Sequence, residues 1–232
     1  EMAEQAASSG KRCVMLGSLI HNDSVVRRLE SMGLTSVSKP EDVPEGATVI
    51  IRSHGEPKAV HEALSARGEI LDATCPNVSR IHKIVAEAEQ AGRQPVIIGT
   101  PNHPEITAVA GWCTHPGVLS DAEEWEKWLE KDSENRKKPL TLVCQTIAAR
   151  KSWDLCVEKA KKECTNLKVF DTICSATCKR QEAAQALAAK SDAMIVIGDR
   201  KSSNTRRLAE LCAALCPQVL WIERAEDLEP SN

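Results

Sequence analysis

The chain is predicted to be α/β, with three similar small parallel-sheet units of which the first and third are incomplete. Three observations carry this. Short apolar runs alternate with longer helix-like stretches through all 232 residues, the pattern of parallel strands joined by right-handed crossovers. Two stretches match at a constant offset of 99 residues: Asp72-Ala73-Thr74-Cys75 with Asp171-Thr172-Ile173-Cys174, Gly99 with Gly198, His103 with Ser202, and Glu105 with Asn204. A third, partial copy lies 82 residues earlier, where Val14-Met15-Leu16-Gly17 and His21 match the run through Gly99 and His103. Such in-register repetition marks repeated folding units.

In the first unit, residues 2–7 resemble 86–91 and read as the tail of a helix. The apolar run ending at Leu16 predicts a strand over 14–16, followed by a helix over 23–32, a strand over 49–52, a helix over 57–67 and a strand over 70–72. The second unit opens with a helix over 78–91. A strand over 95–98, helices over 106–111 and 122–131, a strand over 140–143 and a helix over 149–164 follow. The strand over 169–171 leads to a helix over 179–190, a strand over 193–197, a helix over 204–215 and a strand over 219–222. The strands are short and almost continuously apolar, as strands covered on both faces are. Residues 131–138 are charged and polar and are expected to be the most flexible segment. The units are taken as 1–74, 75–170 and 171–232. An offset of 82 carried back from Cys75 falls before the first residue. The third copy stops before its last strand and loop. The chain is therefore expected to be truncated at both ends, without the first unit's cysteine.

Net charge is −3 and the isoelectric point about 6.1, which gives neither a nucleic-acid footprint nor a polybasic membrane patch. No apolar run approaches the ~20 residues of a spanning helix, and no signal peptide is visible. Ten cysteines in a chain with an ordinary core do not suggest a disulfide framework. The absence of Cys-x-x-Cys argues against a thioredoxin-like motif and a zinc ribbon. With one Phe, five Trp and no Tyr, platforms for stacking bases are disfavoured.

In parallel sheets, ligands bind beyond the carboxyl ends of the strands. Cys75, Cys174, His21, His54, His103, Glu105, Gln145, Thr146, Ser202, Ser203 and Asn204 all fall there. Units packed about a pseudo-threefold axis would bring these loops to one centre, cysteines innermost. Three thiolates, one per unit, suit a [4Fe–4S] cluster with one open iron. Zinc on three cysteines is the competing metal, and a buried small hydrophobe is the ordinary fate of a free cysteine. His21, His54, His103, Ser202, Ser203 and Asn204 form an anion-binding set beside helix N-termini. Helix capping by Ser203 or Asn204 is the plainer reading of those two. Glu105 suits a proton relay assisted by the Thr146 hydroxyl; an exposed first-turn glutamate favouring the helix dipole is its alternative. His61, His82 and His115 lack strand-end placement and read as surface or helix residues. Cys212 and Cys216 read as core packing, and Cys178 lies one turn past Cys174. No Walker A loop or Gly-x-Gly-x-x-Gly occurs.

As a set, Ile20-His21-Asn22, Ser53-His54-Gly55, Asp72-Ala73-Thr74-Cys75-Pro76, His103-Pro104-Glu105, Gln145-Thr146, Ile173-Cys174-Ser175-Ala176-Thr177 and Ser202-Ser203-Asn204 resemble the 4-hydroxy-3-methylbut-2-enyl diphosphate reductases. These are LytB-type iron–sulfur enzymes that end the methylerythritol phosphate route to isoprenoids. The resemblance runs in order over essentially the whole chain. It implies three α/β domains around a central [4Fe–4S] cluster, and reductive removal of an allylic hydroxyl to give isopentenyl and dimethylallyl diphosphate. It also implies ferredoxin or flavodoxin as electron donor, and a cytoplasmic enzyme, or a stromal one in a photosynthetic eukaryote. Cys75 and Cys174 become cluster ligands, with the third cysteine missing from this chain. His21, His54, His103, Ser202, Ser203 and Asn204 hold the diphosphate, and Glu105 and Thr146 handle the proton and the hydroxyl. Ile147 stands where many members have a second threonine. One ligand short, the chain is expected to hold a cluster poorly or not at all. A non-catalytic diphosphate-binding remnant is one competing reading. A zinc-dependent hydrolase is another, and it lacks a His-Glu-x-x-His-like ligand set.

Overall fold

The computed structural model describes residues 1–20 and 22–228. Its first sheet joins β1 (Cys13–Leu16), β2 (Thr35–Val37), β3 (Thr48–Ile51) and β4 (Ile70–Asp72). Helix α1 (Met2–Ser8) precedes β1, α2 (Asp23–Ser31) connects β1 to β2, and α3 (Lys58–Ser65) connects β3 to β4. Helix α4 (Pro76–Gln90) leads to β5 (Gln94–Ile98), α5 (Pro104–Ala110), β6 (Gly117–Leu119), α6 (Ala122–Lys131), β7 (Leu140–Cys144), α7 (Arg150–Glu163) and β8 (Leu167–Val169). The last segment holds α8 (Ser175–Ala188), β9 (Ala193–Ile197), α9 (Ser203–Ala213) and β10 (Gln218–Ile222). All strand pairs are parallel. The sheet orders are β2-β1-β3-β4, β6-β5-β7-β8 and β10-β9. Each begins with the same permutation, its second strand lying outside its first, so the sequence repeat is a repeat of topology.

The chain divides into two compact units, Glu1–Leu19 with Leu29–Ile173, and Ile20–Arg28 with the chain from Cys174 onward. In the first, β1, β3 and β7 are buried along their whole length, which is why they read as unbroken apolar runs. Alternation then assigns their side chains to opposite faces. On β5 and β7, Val96, Ile98, Leu140, Leu142 and Cys144 pack with Trp125 and Leu129 of α6 and Trp153, Cys156 and Ala160 of α7. Ile97 and Val143 face the other way, against Val78, Ile81 and Val85 of α4 and Ile106 and Val109 of α5. The second sheet is therefore the middle of three layers. The first sheet buries Val14, Leu16, Val49 and Ile51 with Leu64 of α3. In the second unit, Met194 and Val196 of β9 pack with Ala188, Cys212 and Cys216. Here burial alternates along β9, leaving Ile195 and Ile197 exposed; the expectation of strands covered on both faces fails for this strand.

Other expectations are corrected as well. Strands β2 and β6 are additional to the sequence reading, and the strand expected over 169–171 lies at Leu167–Val169. Helix α8 begins at Ser175, four residues before the expected 179, because Cys174 already has cap geometry. The segment 131–138 carries local structure. It forms a turn over Ser133–Arg136 in which Asn135 is buried; Asn135 donates to the Trp128 carbonyl, and Lys138 binds Asn135 and Asp132.

Candidate functional site

The cysteine turns are built by their aspartates. Asp72 Oδ1 accepts the Thr74 amide at 2.9 Å, and Asp171 Oδ1 accepts the Ile173 amide at 3.2 Å. These Asx turns aim the chain into a helix, so Cys75 caps α4 and Cys174 caps α8 with nearly the same backbone angles (φ −56°, ψ 132° and φ −66°, ψ 126°). Both thiols are half-buried. The Cys75 amide donates to the Ser53 carbonyl at 3.0 Å, which stitches its turn to the loop that carries His54.

His54 follows β3, and its ring meets His103 edge to face with centroids 5.6 Å apart. His103 caps α5: its Nδ1 accepts the Glu105 amide at 3.1 Å. That bond fixes the tautomer, since an accepting Nδ1 leaves any proton of a neutral ring on Nε2. Glu105 is 3% exposed, not the solvated first-turn residue of the plainer reading. Its Oε1 accepts the Thr146 amide, and its Oε2 meets the Thr146 hydroxyl, both at 2.7 Å. Burial pushes the Glu105 carboxyl above its ordinary value, against the opposing pull of the two Thr146 bonds. A carboxyl shifted in this direction holds its proton to higher pH than a solvated one. Gln145, which the sequence places at this strand end without a role, lies beside this pair. Its Oε1 accepts the Thr100 amide at 3.0 Å, while its buried Nε2 has no protein partner. Its only sequence signal is its place immediately before Thr146 at a strand end.

Two repeat-equivalent glycines let these helices approach their strands. A Cβ on Gly99 would lie 2.5 Å from Ile106 Cδ1, and one on Gly198 would lie 2.5 Å from Thr205 Oγ1. Ile106 and Thr205 are themselves separated by the repeat offset of 99. In the second unit Ser202, not Ser203 or Asn204, is the cap of α9; its side chain accepts the Thr205 amide at 3.3 Å. Ser203 is then the first helical residue. Asn204 Oδ1 is buried without a protein partner. His21 lies outside the described residues.

Five of the remaining thiols are poor ligand candidates. Burial drives Cys144 and Cys156 up to about 11 and Cys113 up to about 12, so they stay protonated where a metal needs thiolate. Cys212 and Cys216 are core residues. Among the described residues, no three His, Cys, Asp or Glu side chains gather as a metal site.

A family model described as LytB protein matches residues 1–232. The chain belongs to the LytB family. Members of this family are oxidoreductases. A relative from Caldanaerobacter subterraneus subsp. tengcongensis, named 4-hydroxy-3-methylbut-2-enyl diphosphate reductase, is 40% identical over 223 residues, covering 94% of this chain and 75% of the relative. One of the same name from Geobacter metallireducens is 35% identical over 232 residues, covering all of this chain and 80% of the relative. A solved (E)-4-hydroxy-3-methyl-but-2-enyl diphosphate reductase, described as the terminal enzyme of the non-mevalonate pathway, superposes with a TM-score of 0.72 at 35% identity. It covers 99% of this chain and 82% of its own. The Plasmodium falciparum E-1-hydroxy-2-methyl-but-2-enyl-4-diphosphate reductase matches this LytB chain with a TM-score of 0.88 at 24% identity, over 99% of this chain and 74% of its own. That last likeness speaks for the fold. The resemblance read from the motifs and the family match agree.

Proposed function

We propose that this LytB chain acts on 4-hydroxy-3-methylbut-2-enyl diphosphate, removing the allylic hydroxyl by reduction to give isopentenyl and dimethylallyl diphosphate. The balance is two electrons and two protons in, with one C–O bond broken, one C–H bond formed and one water released. A one-electron iron–sulfur or flavin protein such as ferredoxin or flavodoxin supplies the electrons. The observation that carries the reading is the buried Glu105–Thr146 pair next to the His54–His103 pair: a proton holder beside anion-binding imidazoles.

The donor chemistry fits an iron–sulfur cofactor in kind. Cys75 and Cys174 are soft ligands at equivalent turns, each capping a helix N-terminus. Two thiols are fewer than the three that a site-differentiated [4Fe–4S] cluster takes. A bound cluster would supply electrons and a Lewis-acidic iron for the hydroxyl oxygen. The chain's own residues do the rest. The diphosphate oxygens are assigned to His21, His54, His103, Ser202, Ser203 and Asn204. The Glu105 carboxyl gives a proton toward the departing hydroxyl, and the Thr146 hydroxyl orients that oxygen. The division into domains 1–74, 75–170 and 171–232 is part of this proposal. A cytoplasmic setting, or a plastid stroma in a photosynthetic eukaryote, belongs to the same proposal. No described helix is long and apolar enough to cross a membrane.

The test is anaerobic reconstitution with iron and sulfide, followed by turnover of the allylic diphosphate with a chemical one-electron reductant. Formation of the two product diphosphates, abolished in Cys75→Ser and Cys174→Ser, is the expected result. Diphosphate binding without a cluster or turnover would overturn the catalytic reading for this chain.

A further inference from the structure

One buried imidazole in the first unit serves neither the anion set nor the cysteine turns directly. His82 lies on α4, seven residues after Cys75, and is 5% exposed. Its ring stacks on the Trp112 indole, with centroids 5.0 Å apart and planes within 15°. A Cβ on Gly55 would lie 2.6 Å from His82 Cε1 and 3.2 Å from His82 Nε2, so the ring edge is pressed against the Gly55 backbone. The same point is 3.1 Å from Thr74 Cγ2. Gly55, the residue after His54, therefore lies close both to this ring and to Thr74, the residue before Cys75.

Trp112 is clamped in turn. Its Nε1 donates to the Glu56 carbonyl at 3.0 Å, and the His61 ring meets it edge-on at 5.5 Å. The Lys58 amide donates to the Gly111 carbonyl at 3.3 Å, and a Cβ on Gly111 would fall 2.8 Å from Pro57 Cα. Residues 55–58, which leave the His54 loop, are thus fastened to the carboxyl end of α5, whose other end carries His103 and Glu105. His82 Nε2 is buried without a partner, an arrangement that costs stability. A hydrocarbon side chain would avoid that cost. What imidazole adds is a flat ring small enough to fit under Gly55, whose φ of +75° suits no bulkier residue.

We propose that His82 is a positioning residue: stacked on Trp112, it forms a flat plate that sets the height of the His54 loop against the Cys75 turn and α5, and so fixes how the His54 and His103 rings approach each other. This rests on the reading of those two rings as diphosphate holders. His82 itself brings no charge to the task, because burial holds it near 4, well below the ordinary imidazole value of 6.5, with His61 lowering it further and Asp72 opposing.

Two readouts test this on the full chain with labelled histidines: the cross-peak between the His54 and His103 ring protons, and calorimetric titration with inorganic diphosphate. In His82→Ala the cross-peak should be lost and diphosphate affinity should fall about tenfold, since displacement of positioned groups by about an ångström costs up to ~100-fold. Added imidazole should restore both by refilling the cavity. Trp112→Leu, which removes the plate from its other side, should repeat the loss and is the variant to use if His82→Ala does not fold. A retained cross-peak with affinity within about twofold in either folded variant would overturn the proposal. If the unmutated chain fails to bind diphosphate while His82→Ala still loses the cross-peak, the positioning role stands and the diphosphate reading falls.

Discussion

Glu105 is placed where water cannot solvate its charge, and Thr146 offers its two oxygens only two bonds. Its neutral form is favoured on folding, so its contribution to stability is present in acid and is lost as pH rises through its folded value. Glu105→Gln keeps the shape and both bonds but carries no transferable proton. It should melt at or above the unmutated chain at pH 8, and anaerobic turnover should fall by ~100-fold or more, within the range for a lost general acid. His82 runs the other way. Its folded value of about 4 lies below 6.5, so on acidification the unfolded chain takes up that proton first. Its stabilising share is complete above about 6.5 and shrinks toward pH 4. Urea midpoints at pH 7 and pH 4.5 should therefore differ more for the unmutated chain than for His82→Gln, once each is referred to its own value at pH 7.

At the scale of elements, the repeat was legible because glycine and aspartate report backbone needs. Gly99 and Gly198 are required where α5 and α9 touch their strands, and Asp72 and Asp171 are required to turn the chain into α4 and α8. Gly99→Ala and Gly198→Ala should each cost about 1–3 kcal/mol in denaturant melts, the range for overpacked contacts. A mutant within about 0.5 kcal/mol of the parent would mean that the helix end yields freely. Elements that escaped sequence reading lack such markers. Strand β2 is Thr35-Ser36-Val37, mostly exposed at a sheet edge, and β6 opens on Gly117; neither shows an apolar run. The turn over Ser133–Arg136 looks solvated by composition, yet Asn135 is bonded into the fold. His82 reads as an ordinary helix residue because spacing along α4 cannot reveal a Trp112 that arrives thirty residues later. The strand-end residues were readable, since the topology rule needs only strand ends; the Gln145 contact with Thr100 was not, since it depends on how two loops meet.

For the whole molecule, the two compact units differ in how they are covered. The second sheet of the first unit has helices on both faces, whereas β9 shows Ile195 and Ile197 to solvent and, among the described residues, pairs with β10 alone. Amide exchange should follow that difference, slow at β5 and β7 and faster at β9 and β10; equal protection by mass spectrometry would contradict it. The uneven burial of thiols has a practical side for whoever handles the protein. Iodoacetamide at mildly alkaline pH should tag Cys75, Cys174 and Cys178 first, since they are partly open. Cys113, equally open but held as thiol up to about 12, should lag, and the fully buried sulfurs should wait for denaturant. A preparation left in air would then be damaged at the turns before its core was touched. A peptide map of carbamidomethyl groups would show whether a batch is still worth loading with iron.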